Sequence, residues 1–180
     1  MKKFHFIIIF LLYSLNTLGQ NGEVMQFILP KGTEKLNNPQ LKSLIHNGFN
    51  EKTALGFHDH IYKKDGLIIY YQNLSQFPTH PERRHSLESN QKMMVALLSG
   101  NSELKGDVSV VDNSRIITVN NIRFAIIEYH NKDDRYIRVT SDYDKNGGMI
   151  NGFIEYKKPD ESEARQYLQD ILQNMHFRNN

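Results

Sequence analysis

Residues 115–156 read RIITVNNIRFAIIEYHNKDDRYIRVTSDYDKNGGMINGFIEY, and this stretch decides the fold. Apolar and polar side chains alternate within it over residues 115–119, 122–129, 135–141 and 149–156, the period of half-buried strands. The interruptions are Asn120-Asn121, Lys132-Asp133-Asp134 and Asn146-Gly147-Gly148, short polar turns rich in residues that tolerate positive φ. Connections this short join antiparallel neighbours, since a parallel crossover needs a dozen residues or more. Four strands in meander order follow, with a further edge strand expected over residues 107–111.

Working outward, the period changes to that of a helix on either side. Downstream, Ala164, Tyr167, Leu168, Ile171, Leu172 and Met175 recur at three- and four-residue spacing, one apolar stripe that packs on the sheet, and Phe177 closes the same core. Asp160 is the expected N-cap of this helix, with Glu163 completing a capping box. Upstream, a helix starts near Ser86, carries Leu87, Met94, Leu97 and Leu98 on one side and stops at Gly100. Residues 77–85 form a loop. Before it, β-rich runs over 56–62 and 67–72 flank Lys63-Lys64-Asp65-Gly66, a hairpin signal. Asn38-Pro39 opens a short helix with Leu41, Leu44 and Ile45 on one face and Gly48 as its stop. The first strand spans 24–29 and ends at Pro30-Lys31-Gly32.

At 180 residues, with 39% hydrophobic and 23% charged residues, the chain suits one globular domain. The absence of cysteine excludes disulfides, thiolate zinc sites, a cysteine nucleophile and lipid anchors attached through a thiol. Lys2 and Lys3, an uncharged run over 4–15 and Thr17-Leu18-Gly19 have the order of a secretory signal peptide, too short for a membrane span. The expected division is a signal over 1–19 and a single domain over 20–180, exported to a periplasm or beyond the cell. The formal charge of +2 comes from the signal. Without Lys2 and Lys3 the 22 basic residues fall to 20, balancing 20 acidic ones. Arg83-Arg84 beside Glu82 is not a basic stripe, so nucleic acid is not an expected partner.

Phe27-Ile28-Leu29-Pro30-Lys31-Gly32 ending the first strand, Gly152-Phe153-Ile154-Glu155-Tyr156 ending the last strong one, and Met175-His176-Phe177 closing the terminal helix resemble the PsbP-like superfamily. That family includes the extrinsic photosystem II protein, exported bacterial proteins and a small Ran-binding protein. The resemblance, an order of elements over most of residues 23–177, implies an α/β chain of the α+β type: a mainly antiparallel sheet with helices packed on both faces. It implies partner binding or assistance in assembly and brings no catalytic residues.

Catalytic signatures are missing: there is no Gly-x-Ser-x-Gly, P-loop, His-Glu-x-x-His or Gly-x-Gly-x-x-Gly. His58 and His60 share one strand face at i and i+2, and His80 and His85 follow, a set that suits zinc or copper if the loop folds back, and surface histidines if it does not. Asp142, Asp144 and Asn146 start a calcium loop, but its twelfth position is Phe153 instead of a bidentate Glu, and the same letters make a hairpin turn. Asp133 and Asp134 fall at a turn. Glu128, inside a strand, needs solvent or a partner such as Arg123 or Arg138. Tyr62, Tyr70, Tyr71, Tyr129, Tyr136, Tyr143 and Tyr156 lie on or beside strands, where strand propensity and binding surfaces both favour tyrosine. The resulting expectation is an exported, non-enzymatic binding or accessory protein with a protein partner and no cofactor. The alternative is a zinc- or copper-binding protein or metal-dependent enzyme built on the histidines.

Overall fold

A computed structural model describes residues 25–26, 28–37, 39–40, 60–74, 84–100, 109–145 and 147–177. The signal over 1–19 and most of the helix expected after Pro39 lie outside them. The described strands are β1 (Met25–Gln26), β2 (Glu34–Lys35), β3 (Ile61–Lys64), β4 (Leu67–Leu74), β5 (Val110–Val119), β6 (Ile122–Asn131), β7 (Asp134–Ser141), β8 (Met149–Lys157) and β9 (His176–Phe177). The described helices of length are α1 (Leu87–Leu98) and α2 (Glu161–Gln173).

Seven strands make one sheet in the order β2-β3-β4-β8-β7-β6-β5, and every pairing is antiparallel. The meander β5-β6-β7-β8 is the one the alternation predicts. Its turns have the expected chemistry: Asn120 (φ 51°) and Asn121 (φ 62°) both adopt the left-handed region, as a two-residue hairpin loop requires. Lys132 (φ 54°) and Asp133 form the next turn, which leaves Asp134 as the first residue of β7. Val110 and Val111 of the expected edge strand join residues 115–119 in a single β5, whose register shifts between Val111 and Asn113; residues 107–108 lie outside the described residues. In the other hairpin the turn contracts to Asp65-Gly66, and Lys63 and Lys64 belong to β3.

Burial on one sheet face is set by α2. Ala164, Tyr167, Leu168, Ile171 and Leu172 are buried on it, with Met175 just beyond, against Ile69, Phe124, Ile126, Ile137, Val139, Ile150 and Ile154. These strand positions fall on alternate residues, so the neighbours between them project the other way. The expected capping box does not form. Asp160 ends a 3-10 turn, Lys158–Asp160, and makes no side-chain cap bond. Its carboxylate lies instead against Gly66, while Glu163 hydrogen-bonds to Asp65, which raises the Glu163 pKa. The β3–β4 turn thus occupies the place the local capping pattern assigns to Glu163.

Glu128 is buried on the α2 face, and its partners are neither Arg123 nor Arg138. It meets Arg115 of β5 at 2.5 Å and Arg165 of α2 at 2.6 Å. Arg123 pairs with Glu88 in the first turn of α1 and with Asp142 at 3.3 Å. Among the described residues, no helix is long and apolar enough to cross a membrane.

Candidate functional site

The helix α1 is positioned by its cap and by Arg123. Ser86 accepts a hydrogen bond from the Ser89 N–H at 3.2 Å, satisfying one of the free donors of the first turn. Gln91 donates to Ser114 of β5 at 2.8 Å. Between α1 and the strands is a cavity of about 210 Å³, bounded by Asn90, Gln91, Met93 and Met94 on the helix. The strands contribute Ala125, Ile127, Arg138, Thr140, Met149 and Asn151, and Tyr143 adds a wall. The volume far exceeds an ordinary packing void and falls below the roughly 300 to 1,000 Å³ typical of drug-sized ligands.

Arg138 is the one charged residue in that lining. Its place in the register puts it mid-sheet, opposite Ile127 on β6 and Phe153 on β8. The guanidinium carbon is 6.0 Å from the Phe153 ring centre, a cation–π contact. Its Nε is buried and has no hydrogen-bond partner, and among the described residues no carboxylate pairs with it. Burial depresses its pKa, and the Tyr129 hydroxyl opposes that shift. Thr140 donates to Asn151 Oδ1 at 3.2 Å, which leaves the Asn151 amide nitrogen as a donor. Beside the cavity, the Arg84 guanidinium sits 5.6 Å from the Tyr143 ring centre and packs over Gly147 (φ 86°), where any Cβ would collide with it.

Further along the same strands lies a carboxyl–tyrosine cluster. Tyr129 and Tyr136 stack with centroids 4.9 Å apart, Tyr70 tilts on Phe153 at 4.7 Å, and the Tyr70 hydroxyl donates to Glu155 Oε2 at 3.5 Å. Burial, then the nearby Asp134 charge, pushes the Glu155 carboxyl up to about 7, against the pull of Lys157 and Tyr70. Burial likewise raises Tyr70 and Tyr136, and lifts Tyr129 to about 12.

Of the histidines, His58 and His80 lie outside the described residues. His60 sits 4.8 Å from the Tyr71 ring, tilted by 33°, with its Nδ1 buried and unpartnered, and His85 is exposed just before α1. The described residues contain no group of three or more histidines and acids able to hold a metal. Asp142 accepts from the Tyr143 N–H at 3.0 Å and from Arg123, and Asp144 accepts from the Gly148 N–H at 2.5 Å. Both aspartates therefore build the β7–β8 connection; Asn146 lies outside the described residues. Tyr62 and Tyr71 stack at 5.5 Å with their hydroxyls 3.1 Å apart. Sequence reasoning considered Arg138 only as a partner for Glu128. The alternation of Arg135-Tyr136-Ile137-Arg138-Val139 already sets it opposite Ile137 and Val139, but the lack of an acid near it is a property of four separate segments.

No family model matches the sequence, and no curated protein matches it. Among solved structures the chain is similar to the cyanobacterial PsbP (CyanoP) of Synechocystis sp. PCC 6803. The two are 10% identical, with a TM-score of 0.47, over 87% of this chain and 94% of that one.

Proposed function

We propose that this chain is an exported accessory protein without catalysis of its own, and that it binds a protein partner at the sheet face beneath α1. One observation carries the reading: Arg138, half-buried with its Nε out of water, lines a cavity and has no ion pair among the described residues. A buried charge without a counter-charge lowers stability unless something completes it. A bound group does so. The cavity lining holds amides, hydroxyls and thioethers around that cation, a set that recognises and orients but supplies no general base or nucleophile. This site has the helix α1 on one side and strands below it. Export rests on Lys2-Lys3 and the apolar run behind them.

The test is a photo-crosslinking residue placed at Met93, half-exposed on α1, or at Gln169, exposed on α2, in the cell that makes the protein. A discrete adduct from Met93 that disappears with Arg138→Met, and none from Gln169, is the expected result. Equal adducts from both positions, or none from Met93, would end the reading. Protein recovered from the same cells should begin at Gln20 on N-terminal sequencing.

A second reading, a zinc- or copper-binding protein, is favoured by the unpartnered Nδ1 of His60, since a buried imidazole nitrogen ordinarily has a partner. Calorimetric titration of untagged protein with zinc or copper should then give saturable heat that His60→Ala and His58→Ala each remove. No heat from the parent chain excludes it.

A further inference from the structure

We propose that the cavity beneath α1 takes a carboxylate carried on a small apolar group, with Arg138 as its counter-ion. The proposal deepens the binding function above and rests on it. Three observations set the ligand's chemistry. First, among the described residues Arg138 is alone: no acidic side chain of theirs lines the cavity, and the one ionisable group of theirs acting on its charge is the Tyr129 hydroxyl. A guanidinium offers paired donors that match a carboxylate in bidentate geometry, and no hydrogen bond or ion pair among the described residues engages this one. Second, the Asn151 amide, oriented by Thr140, supplies a further donor on the neighbouring strand. Third, Met94, Met149 and Ile127 give part of the wall an apolar and adaptable surface beside the amides and hydroxyls, which suits an aliphatic or aromatic group of about amino-acid size within 210 Å³.

A phosphate fits less well. Its second charge calls for a second cation, and Arg84, packed over the Tyr143 ring with its own Nε buried and unpartnered, stands outside the lining. The carboxylate can belong to a free acid or to the C-terminal residue of a protein partner; the recognition is the same.

Binding is measured by calorimetry and by NMR shifts of α1 amides, using the full mature chain. The probes are 4-methylpentanoate, 4-methylpentanamide, N-acetyl-Ala-Ala-Leu with a free C-terminus, the same peptide amidated, and inorganic phosphate. Each acid should bind saturably at least about tenfold more tightly than its amide, the size of effect a charge-assisted pair gives. Phosphate should not bind. Arg138→Lys should weaken the acids, and Arg138→Met should erase the difference between acid and amide. Arg138→Met is expected to melt close to the parent, because the side chain is partly buried and has no ion pair among the described residues to lose, so a loss of binding cannot be put down to unfolding. Tighter binding of the peptide acid assigns the site to a partner's C-terminus; tighter binding of 4-methylpentanoate assigns it to a free acid. Equal binding of acid and amide overturns the carboxylate and leaves the crosslinking result at Met93 standing. Preference for phosphate, or no α1 shifts with any probe, overturns it as well.

Discussion

Glu155 keeps its proton to about pH 7 because the strand register places it between Ile68 of β4 and Tyr136 of β7, out of most water and near the Asp134 charge. In the unfolded chain it titrates near 4.5. The folded state therefore binds the proton more tightly, so the stability it contributes is complete below pH 4.5 and is lost as pH rises through 7. The loss is about 2 kcal/mol, below the full shift because the side chain is partly wet. Glu155→Gln keeps an acceptor for Tyr70 and removes the titration. Its melting temperature should match the parent at pH 4.5 and exceed it at pH 8; parallel curves for the two proteins would refute the assignment. Glu128 is a buried carboxylate held by two arginines that are themselves partly exposed. Arg115→Met or Arg165→Met alone leaves one partner and should cost about 1 kcal/mol, whereas the double variant strands the charge and should cost about 4. Urea denaturation of the four proteins reads the coupling, and additive losses would show that the two arginines act independently.

At the scale of elements, β8 lies close to β4 because Gly152 faces Tyr71 across the pair. A Cβ at Gly152 would run into the Tyr70 carbonyl oxygen and the Tyr71 backbone, neither of which can yield without moving β4. Gly152→Ala should therefore lose about 1 to 3 kcal/mol in urea denaturation, where a strand glycine freed of such contact would gain from the substitution. A neutral result would mean that β4 and β8 sit farther apart. Elements such as these were legible in the sequence wherever the information was local. Period-two alternation, the Asn120-Asn121 and Asp65-Gly66 turns, the Ser86 cap and the stripe from Ala164 to Met175 each lie within a dozen residues. Interactions that depend on register were not. Asp160 and Glu163 spell a capping box, yet the β3–β4 turn, almost a hundred residues upstream, takes their side chains. Glu128 found Arg115 and Arg165 because β6 pairs with β5 and lies under α2, and no spacing along the chain encodes either. Arg138 was visible as a strand residue; its lack of a partner required knowing what faces it from α1, β6 and β8.

Across the whole molecule, the chain leaves the sheet at β8, packs on it with α2, and its last described segment lies beside its first. β9 pairs with β1, Met25 opposite Phe177 and Gln26 opposite His176, so the first and last described segments hold each other outside the seven-stranded sheet. Met175, only 2% exposed, carries the α2 stripe past the end of the helix into the core. Asn120, in the β5–β6 turn, fastens this segment from the far edge of the sheet by donating to the carbonyls of Gln173 at 2.8 Å and Met175 at 3.4 Å. Removing residues 174–180 deletes the Met175 side chain, the partner of β1 and the acceptor on Met175 together. The core loss alone is about 2 to 5 kcal/mol, a fall of roughly 5 to 15 °C in melting temperature for a chain of this size. Asn120→Gly separates the fastening from the core, since glycine accepts the positive φ of that turn and lacks only the side-chain donor. In the full chain it should cost about 1 kcal/mol. In the truncated chain the penalty should shrink, because one of the two acceptors is gone and the Gln173 carbonyl is free to reach water. An undiminished penalty there would place the work of Asn120 within its own turn and not in closing the molecule.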